Sequence, residues 1–187
     1  APVFCNDLGI AKGLWYSLFH SISAFCNAGF DLFGIREPFS SLTFYHSNIY
    51  LNIIIMMLII TGGIGFLVWG DIRIHKNRIR RFSLQSKVVL MTSAVLIVLP
   101  ALYFFFYEYD RETIHDRTIH SLFQSVTTRT AGFNTTDLAA MDESGTAIMI
   151  ILMLIGGSPG STAGGMKTAT FAVLFLSAIT VLRRRND

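Results

Sequence analysis

Long uncharged runs alternate with short apolar ones along this chain. Ser47 to Gly70 carries no charge over 24 residues, and Val88 to Tyr107 none over 20. A helix needs roughly 20 apolar residues to cross a hydrocarbon core, so both runs predict membrane spans. In the first, Gly62, Gly63 and Gly65 of Thr-Gly-Gly-Ile-Gly-Phe66 either let another backbone approach closely or mark a kink. The last block, 144–182, holds 39 residues with Lys167 as its only charge. As one helix it would be ~58 Å long, nearly twice a bilayer core, so it must break. The break is predicted at Gly156-Gly-Ser-Pro-Gly-Ser-Thr-Ala-Gly-Gly-Met-Lys-Thr168. Two shorter apolar stretches, 15–25 and 119–128, rise only ~17 Å as helices and cannot span. Taken singly, each fits a buried helix of a soluble protein as well as a half-helix dipping into a membrane. Residues 1–14 and 31–46 are polar and glycine-containing and predict loops.

An internal repeat decides between those two readings. The run Ser17-Leu-Phe-His-Ser-Ile-Ser-Ala-Phe-Cys-Asn-Ala-Gly-Phe-Asp31 returns as Ser121-Leu-Phe-Gln-Ser-Val-Thr-Thr-Arg-Thr-Ala-Gly-Phe-Asn134. With one gap, both share Ser-Leu-Phe, a Ser or Thr pattern after it, and a closing Ala-Gly-Phe followed by Asp or Asn. Each copy is followed by a long apolar segment. A period of this kind fixes architecture. Each copy predicts a re-entrant hairpin, a short helix going in and a loop climbing out. The fold class is therefore an all-α membrane protein built from repeated helix–re-entrant pore loop–helix units. Residues 1–70 are expected to hold the pore loop and second helix of one unit, 71–87 a basic linker, and 88–187 the complete next unit with a broken final helix.

Composition supports the membrane and charge orients the chain. Hydrophobic residues make up 52% and charged ones 14%, against about a quarter charged in ordinary soluble domains. The linker carries Arg73, Lys76, Arg78, Arg80, Arg81 and Lys87 against Asp71 alone, which places it on the cytoplasmic side. Arg183, Arg184 and Arg185 mark a second cytoplasmic end. The segment 108–118 leans acidic, with Glu108, Asp110, Glu112 and Asp116, and suits the outer face with both hairpin loops. There, with Asp137, these acids either concentrate cations or form a solvated surface. The net charge of +3 is too small to argue for nucleic acid. Cys5 and Cys26 have no disulfide-framework or metal-ligand spacing. The five histidines, His20, His46, His75, His115 and His120, show none either. The chain opens at Ala1 and ends in Arg-Arg-Arg-Asn-Asp, and is expected to be a piece of a longer protein.

Non-helical backbone at membrane depth must be buried in protein or line a watery cavity. Its carbonyls can then replace the hydration shell of a cation. Asn27, Ala28 and Gly29 in the first copy, and Thr130, Ala131 and Gly132 in the second, are the candidate ion-binding backbone, with K⁺ held there and nowhere else. Gly freely takes the φ values that turn successive carbonyls to one side. The preceding half-helices would aim their negative dipole ends at the ion. Phe30 and Phe133 are candidate supports. Arg129, beside the second loop, is expected to lie behind it and donate hydrogen bonds to carbonyls or an acid.

The glycine-rich break supplies a candidate gate: Gly156, Gly157, Ser158, Gly160, Ser161, Thr162, Gly164, Gly165 and Lys167. Close packing against another helix is the plain alternative for its glycines. It is not a phosphate-binding loop, since Met166 separates Gly165 from Lys167 and apolar segments flank both sides. A membrane-embedded enzyme would need an ionisable cluster, and Lys167 with Ser161 in the polar loop 156–168 is the only candidate pair.

These motifs resemble the Trk/Ktr/HKT superfamily of potassium transporters. The form Ser-Pro-Gly-Ser-Thr-Ala-Gly-Gly, together with Thr-Thr-Arg-Thr-Ala-Gly-Phe-Asn, is most similar to the bacterial Ktr-type membrane subunit. The resemblance implies four repeats in pseudo-fourfold order around one pore, with this chain running from the second pore loop to the end of the third repeat. Two filter segments do not close a four-part ring, so this piece alone is not expected to conduct. It further implies filter glycines at Gly29 and Gly132, K⁺ as the transported ion with Na⁺ left open, and a gating loop from Gly156 to Lys167. The implied setting is a multi-pass plasma-membrane subunit in lipid. It would be homodimeric and docked on a cytoplasmic ring of nucleotide-binding regulatory subunits. No nucleotide motif stands in the chain itself.

Overall fold

A computed structural model describes residues 1–76 and 78–184. Eight α-helices carry the fold: α1 (Pro2–Leu8), α2 (Ile10–Phe25), α3 (Ile49–Ile64), α4 (Phe66–His75), α5 (Leu84–Tyr103), α6 (Ile114–Thr127), α7 (Glu143–Leu154) and α8 (Thr168–Arg184). Among the described residues there is no strand, only an isolated bridge between Ile155 and Met166. Arg185, the last of the predicted basic cluster, lies outside the described residues.

Helix α6 sits at the centre, packed on α3 and α5. Its C-terminal half is almost wholly buried, and much of what it buries is polar: Ser121, Gln124, Ser125, Thr127 and Thr128. The outward faces of α5 and α8 are apolar instead, with Val95, Leu99, Leu174 and Leu182 all exposed. Polar residues inside and apolar residues outside is the arrangement expected in lipid, where hydrogen bonds between helices hold the bundle. Ser125 Oγ, for example, donates to the Ile97 carbonyl of α5 at 2.6 Å. An aromatic core lies against α2, where Phe4, Phe33, Tyr45 and Phe133 are buried around His20.

The span predicted over 88–107 is present. Helix α5 starts at the Ser83 cap, whose hydroxyl accepts from the Ser86 N–H, and runs to a wider π-type turn at Phe104–Glu108. Together they give 25 residues long and apolar enough to cross a membrane. The span predicted over 47–70 takes the kinked form. Its apolar run breaks at Gly65, and α3 and α4 meet at 94°. Gly65 has φ +91°, where no L-residue continues a helix, so the ladder stops there. Trp69 closes the corner by donating its indole N–H to the Thr61 carbonyl at 3.0 Å.

Residues 1–14 are helical and not loop. Gly13 lies inside α2 where a Cβ would stand 2.4 Å from the Cys5 backbone, so the residue marks close packing of α1 on α2. Both half-helices also begin earlier than predicted, α2 at Ile10 and α6 at Ile114. The loop over 31–46 is confirmed, with short 3₁₀ turns at Phe33–Ile35 and Thr43–Tyr45. The basic linker is tied at its base by Asp71, which accepts from the Ser83 backbone N–H at 2.9 Å and hydroxyl at 2.7 Å.

Candidate functional site: two pore loops above an intramembrane loop

The two repeat copies fold alike. Each half-helix ends in a loop with alternate residues in the left-handed region: Asn27 at φ 51° and Gly29 at 71°, then Thr130 at 68° and Gly132 at 82°. Non-glycine residues rarely hold such angles, so a matched pair marks a backbone held for a purpose. Alternating hands turn successive carbonyls to one side without forming a helix, which an ordinary extended chain does not do.

The same hydrogen bonds hold both turns. Ser23 Oγ donates to the Phe30 carbonyl at 2.8 Å, and Thr127 Oγ1 to the Phe133 carbonyl at 2.7 Å. The Ala28 N–H donates to Ser23 O at 2.9 Å, and the Ala131 N–H to Thr127 O at 3.0 Å. The loops also touch each other. A Cβ placed on Gly29 would lie 2.3 Å from the Ala131 carbonyl oxygen and 3.0 Å from the Gly132 Cα. Their exits are joined as well, the Leu42 N–H donating to Asn134 O at 2.9 Å and the Asn134 N–H to Ser41 Oγ at 3.1 Å.

The predicted supports fare differently. Phe133 is fully buried, whereas Phe30 is 70% exposed and lies beside an apolar hollow with Trp15 and Leu18 of α2. Arg129 is buried beside the second loop, and its partner is a hydroxyl, not the carbonyl or acid expected. Its Nη2 donates to Ser93 Oγ at 3.3 Å, and no acid reaches it among the described residues. It shares a small cavity with Asn27, Gly63 and Gly157, so it stands between both pore loops and the segment below.

That segment, 155–167, is non-helical, as predicted. It folds back on itself through Gly156 N–H to Met166 O at 2.9 Å and Met166 N–H to Leu154 O at 3.1 Å. Its seat is the α3–α4 corner. The Ser158 N–H donates to Gly63 O at 3.0 Å, the Thr162 N–H to Gly62 O at 3.3 Å, and the Phe66 N–H to Gly160 O at 3.0 Å. Two interrupted helices thus satisfy each other's orphaned backbone groups, as a low-dielectric setting requires. Ser158 Oγ and Thr168 Oγ1 are fully buried and 3.1 Å apart. At the other end, Thr162 Oγ1 donates to the Phe25 carbonyl at 2.9 Å and meets Asn27 Nδ2 at 3.0 Å. The loop therefore lies directly against the end of α2 and the first pore loop. Lys167 turns back and donates to Ala163 O at 2.7 Å, so it is not paired with Ser161, whose hydroxyl has no partner. Ser161 and Lys167 form no catalytic pair.

Sequence reasoning found both pore loops and the intramembrane loop. Both readings of Thr61-Gly-Gly-Ile-Gly65, a kink and a close backbone approach, hold together at the α3–α4 corner; its use as a seat for the segment 155–167 was not foreseen. Among the described residues no group of three or more His, Cys, Asp or Glu side chains could hold a metal ion.

A family model described as TrkH, cation transport protein, matches residues 6–187. The chain is 41% identical over 179 residues to the potassium/sodium uptake protein NtpJ of Enterococcus hirae, covering 93% of this chain and 38% of that protein. It is 40% identical over 185 residues to the Ktr system potassium uptake protein B of Bacillus subtilis, covering 96% of this chain and 40% of that one. The chain thus spans about two-fifths of the length of these relatives. Among solved structures, the potassium transporter TrkH from Vibrio parahaemolyticus shares the fold with a TM-score of 0.73 at 22% identity, over 91% of this chain and 36% of that one.

Proposed function

Because the chain belongs to the TrkH family of cation transport proteins, we propose that it forms part of a membrane subunit for potassium uptake. Its two pore loops supply backbone-carbonyl ligands to a dehydrated K⁺, and the segment Gly156–Lys167 gates the path beneath them. One observation carries this reading: the matched left-handed turns at Asn27–Gly29 and Thr130–Gly132 lie in contact. Uncharged carbonyls bind a monovalent cation weakly enough to let it leave, which conduction requires. The C-terminal ends of α2 and α6 add a partial negative charge at the same place.

The complete ring needs further pore loops, which the remaining three-fifths of such a subunit would supply. Residues 1–70 and 88–187 then act as parts of two adjacent repeats, with 71–87 as the linker between them. The pore loops face outside and the basic linker faces the cytoplasm, where a nucleotide-binding ring docks on a homodimer. The Ktr name of the Bacillus relative favours such a multi-subunit system, and the name of the Enterococcus relative keeps Na⁺ open as a second ion.

Rubidium uptake by the full-length protein in potassium-transport-deficient cells tests the reading. Gly132→Ser is expected to lower K⁺ over Na⁺ preference, and deletion of Ser158–Gly164 to raise uptake. Unchanged selectivity and unchanged flux would reject both roles.

A further inference from the structure

We propose that Thr162 and Asn27 form a latch that holds the intramembrane loop shut against the first pore loop. The inference rests on the gating reading above and names the contact that regulates it. The loop has two unlike ends. At Ser158 it is anchored in the interior, with the buried Ser158–Thr168 hydroxyl pair and a Thr168 N–H bond to Gly157 O at 3.1 Å. At Thr162 the side chain is exposed, and its hydroxyl is the group that reaches the pore loop. A single side-chain hydrogen bond contributes only modestly to net stability, which suits a contact made and broken in each cycle. A buried bond suits a hinge.

The partner carries the signal. Asn27 holds one of the left-handed positions of the first pore loop, and its Nδ2 donates to Thr162 Oγ1 at 3.0 Å. Thr162 in turn donates to the Phe25 carbonyl at 2.9 Å. Phe25 is the last residue of α2, so this carbonyl belongs to the negative end aimed at the ion path. Asn27 Nδ2 also donates to that carbonyl at 3.4 Å, and the oxygen packs on α3 at Gly62, so the closed latch ties the loop to the end of α2 and to the first pore loop at one point. Pore-loop geometry and loop position are then one coupled state.

The experiment uses the full-length transporter with and without its cytoplasmic regulator, and reads Rb⁺ uptake per transporter in the membrane. Thr162→Val keeps the shape and removes both bonds; regulator-independent uptake should rise roughly tenfold. Thr162→Ser restores the hydroxyl and should return uptake to the wild-type rate. Asn27→Gly keeps the left-handed backbone while removing the side chain. It should raise uptake as well, and adding Thr162→Val should bring much less than the product of the two single increases. Should Thr162→Val not reach the membrane, Thr162→Ala replaces it with the same expectation. Uptake unchanged in the Thr162 variants, beside raised uptake in the Ser158–Gly164 deletion, overturns the latch and leaves the gate standing. No rise even in the deletion overturns both. A loss of K⁺ over Na⁺ preference in Thr162→Val overturns the latch in favour of a strut for the filter.

Discussion

The two pore-loop glycines match in sequence, yet their surroundings predict unequal responses to alanine. Both have positive φ, 71° at Gly29 and 82° at Gly132, so a methyl at either costs roughly 1–2 kcal/mol in backbone strain. At Gly132 that is nearly the whole effect. Its Cβ would meet only the Gly29 Cα at 3.5 Å, an ordinary contact. At Gly29 the Cβ would stand 2.3 Å from the Ala131 carbonyl oxygen and 3.0 Å from the Gly132 Cα, both backbone atoms that cannot rotate away. Overpacking of this kind adds about 1–3 kcal/mol. The Ala131 carbonyl is also a candidate ion ligand, so the displacement falls on the second loop. Gly29→Ala should therefore lower the melting temperature of the full-length protein in detergent more than Gly132→Ala, and should abolish Rb⁺ uptake where Gly132→Ala keeps part of it. Equal losses, or a greater loss at Gly132, would refute the close approach of the two turns.

Thr127→Val removes the buried bond to the Phe133 carbonyl and leaves that acceptor unpaired, at a cost of roughly 1–3 kcal/mol. The expected result is a lower melting temperature with reduced K⁺ over Na⁺ preference in competition uptake; a neutral variant would show that the bond does not hold the turn. The outer cluster of Asp7, Tyr45 and Arg36 predicts a pH response. The Tyr45 hydroxyl, then Arg36 at 2.9 Å, hold the Asp7 carboxyl below its usual value of 3.8, while burial and the bond to Asp7 push Tyr45 up to about 12. A depressed carboxyl stabilises above its unfolded value and is lost as pH falls through the lowered one. A raised phenol stabilises below 10.0 and is lost as pH rises through about 12. Tyr45→Phe should lower the melting temperature most between about pH 4 and 10 and flatten both limbs; a profile parallel to wild type would refute the coupling.

The repeat made the pore loops legible because glycine and a helix too short to span are both physical constraints written in residue order. The loop at 156–167 was legible because no helix of that length fits a bilayer. What escaped was tertiary. The glycines at 62, 63 and 65 permit a kink in an uncharged run, but its 94° angle and the loop it seats depend on contacts far along the chain. The early start of α6 had a local signal, Thr113 capping the Asp116 N–H three residues on, which the search for apolar runs passed over. The hydroxyl partner of Arg129 had none, since Ser93 lies 36 residues away.

Where α3 stops at Gly65, its missing ladder bonds are on loan from the intramembrane loop, and the loop's own are on loan from α3. Neither can withdraw alone. If the loop moves, the Gly62 and Gly63 carbonyls and the Phe66 N–H must be met by solvent, so on the proposed gating reading unblocking the conduit and flooding the corner beneath it are a single event. The rate of opening should then follow how easily water enters that corner, and a bulky apolar residue lining it would slow transport without touching an ion.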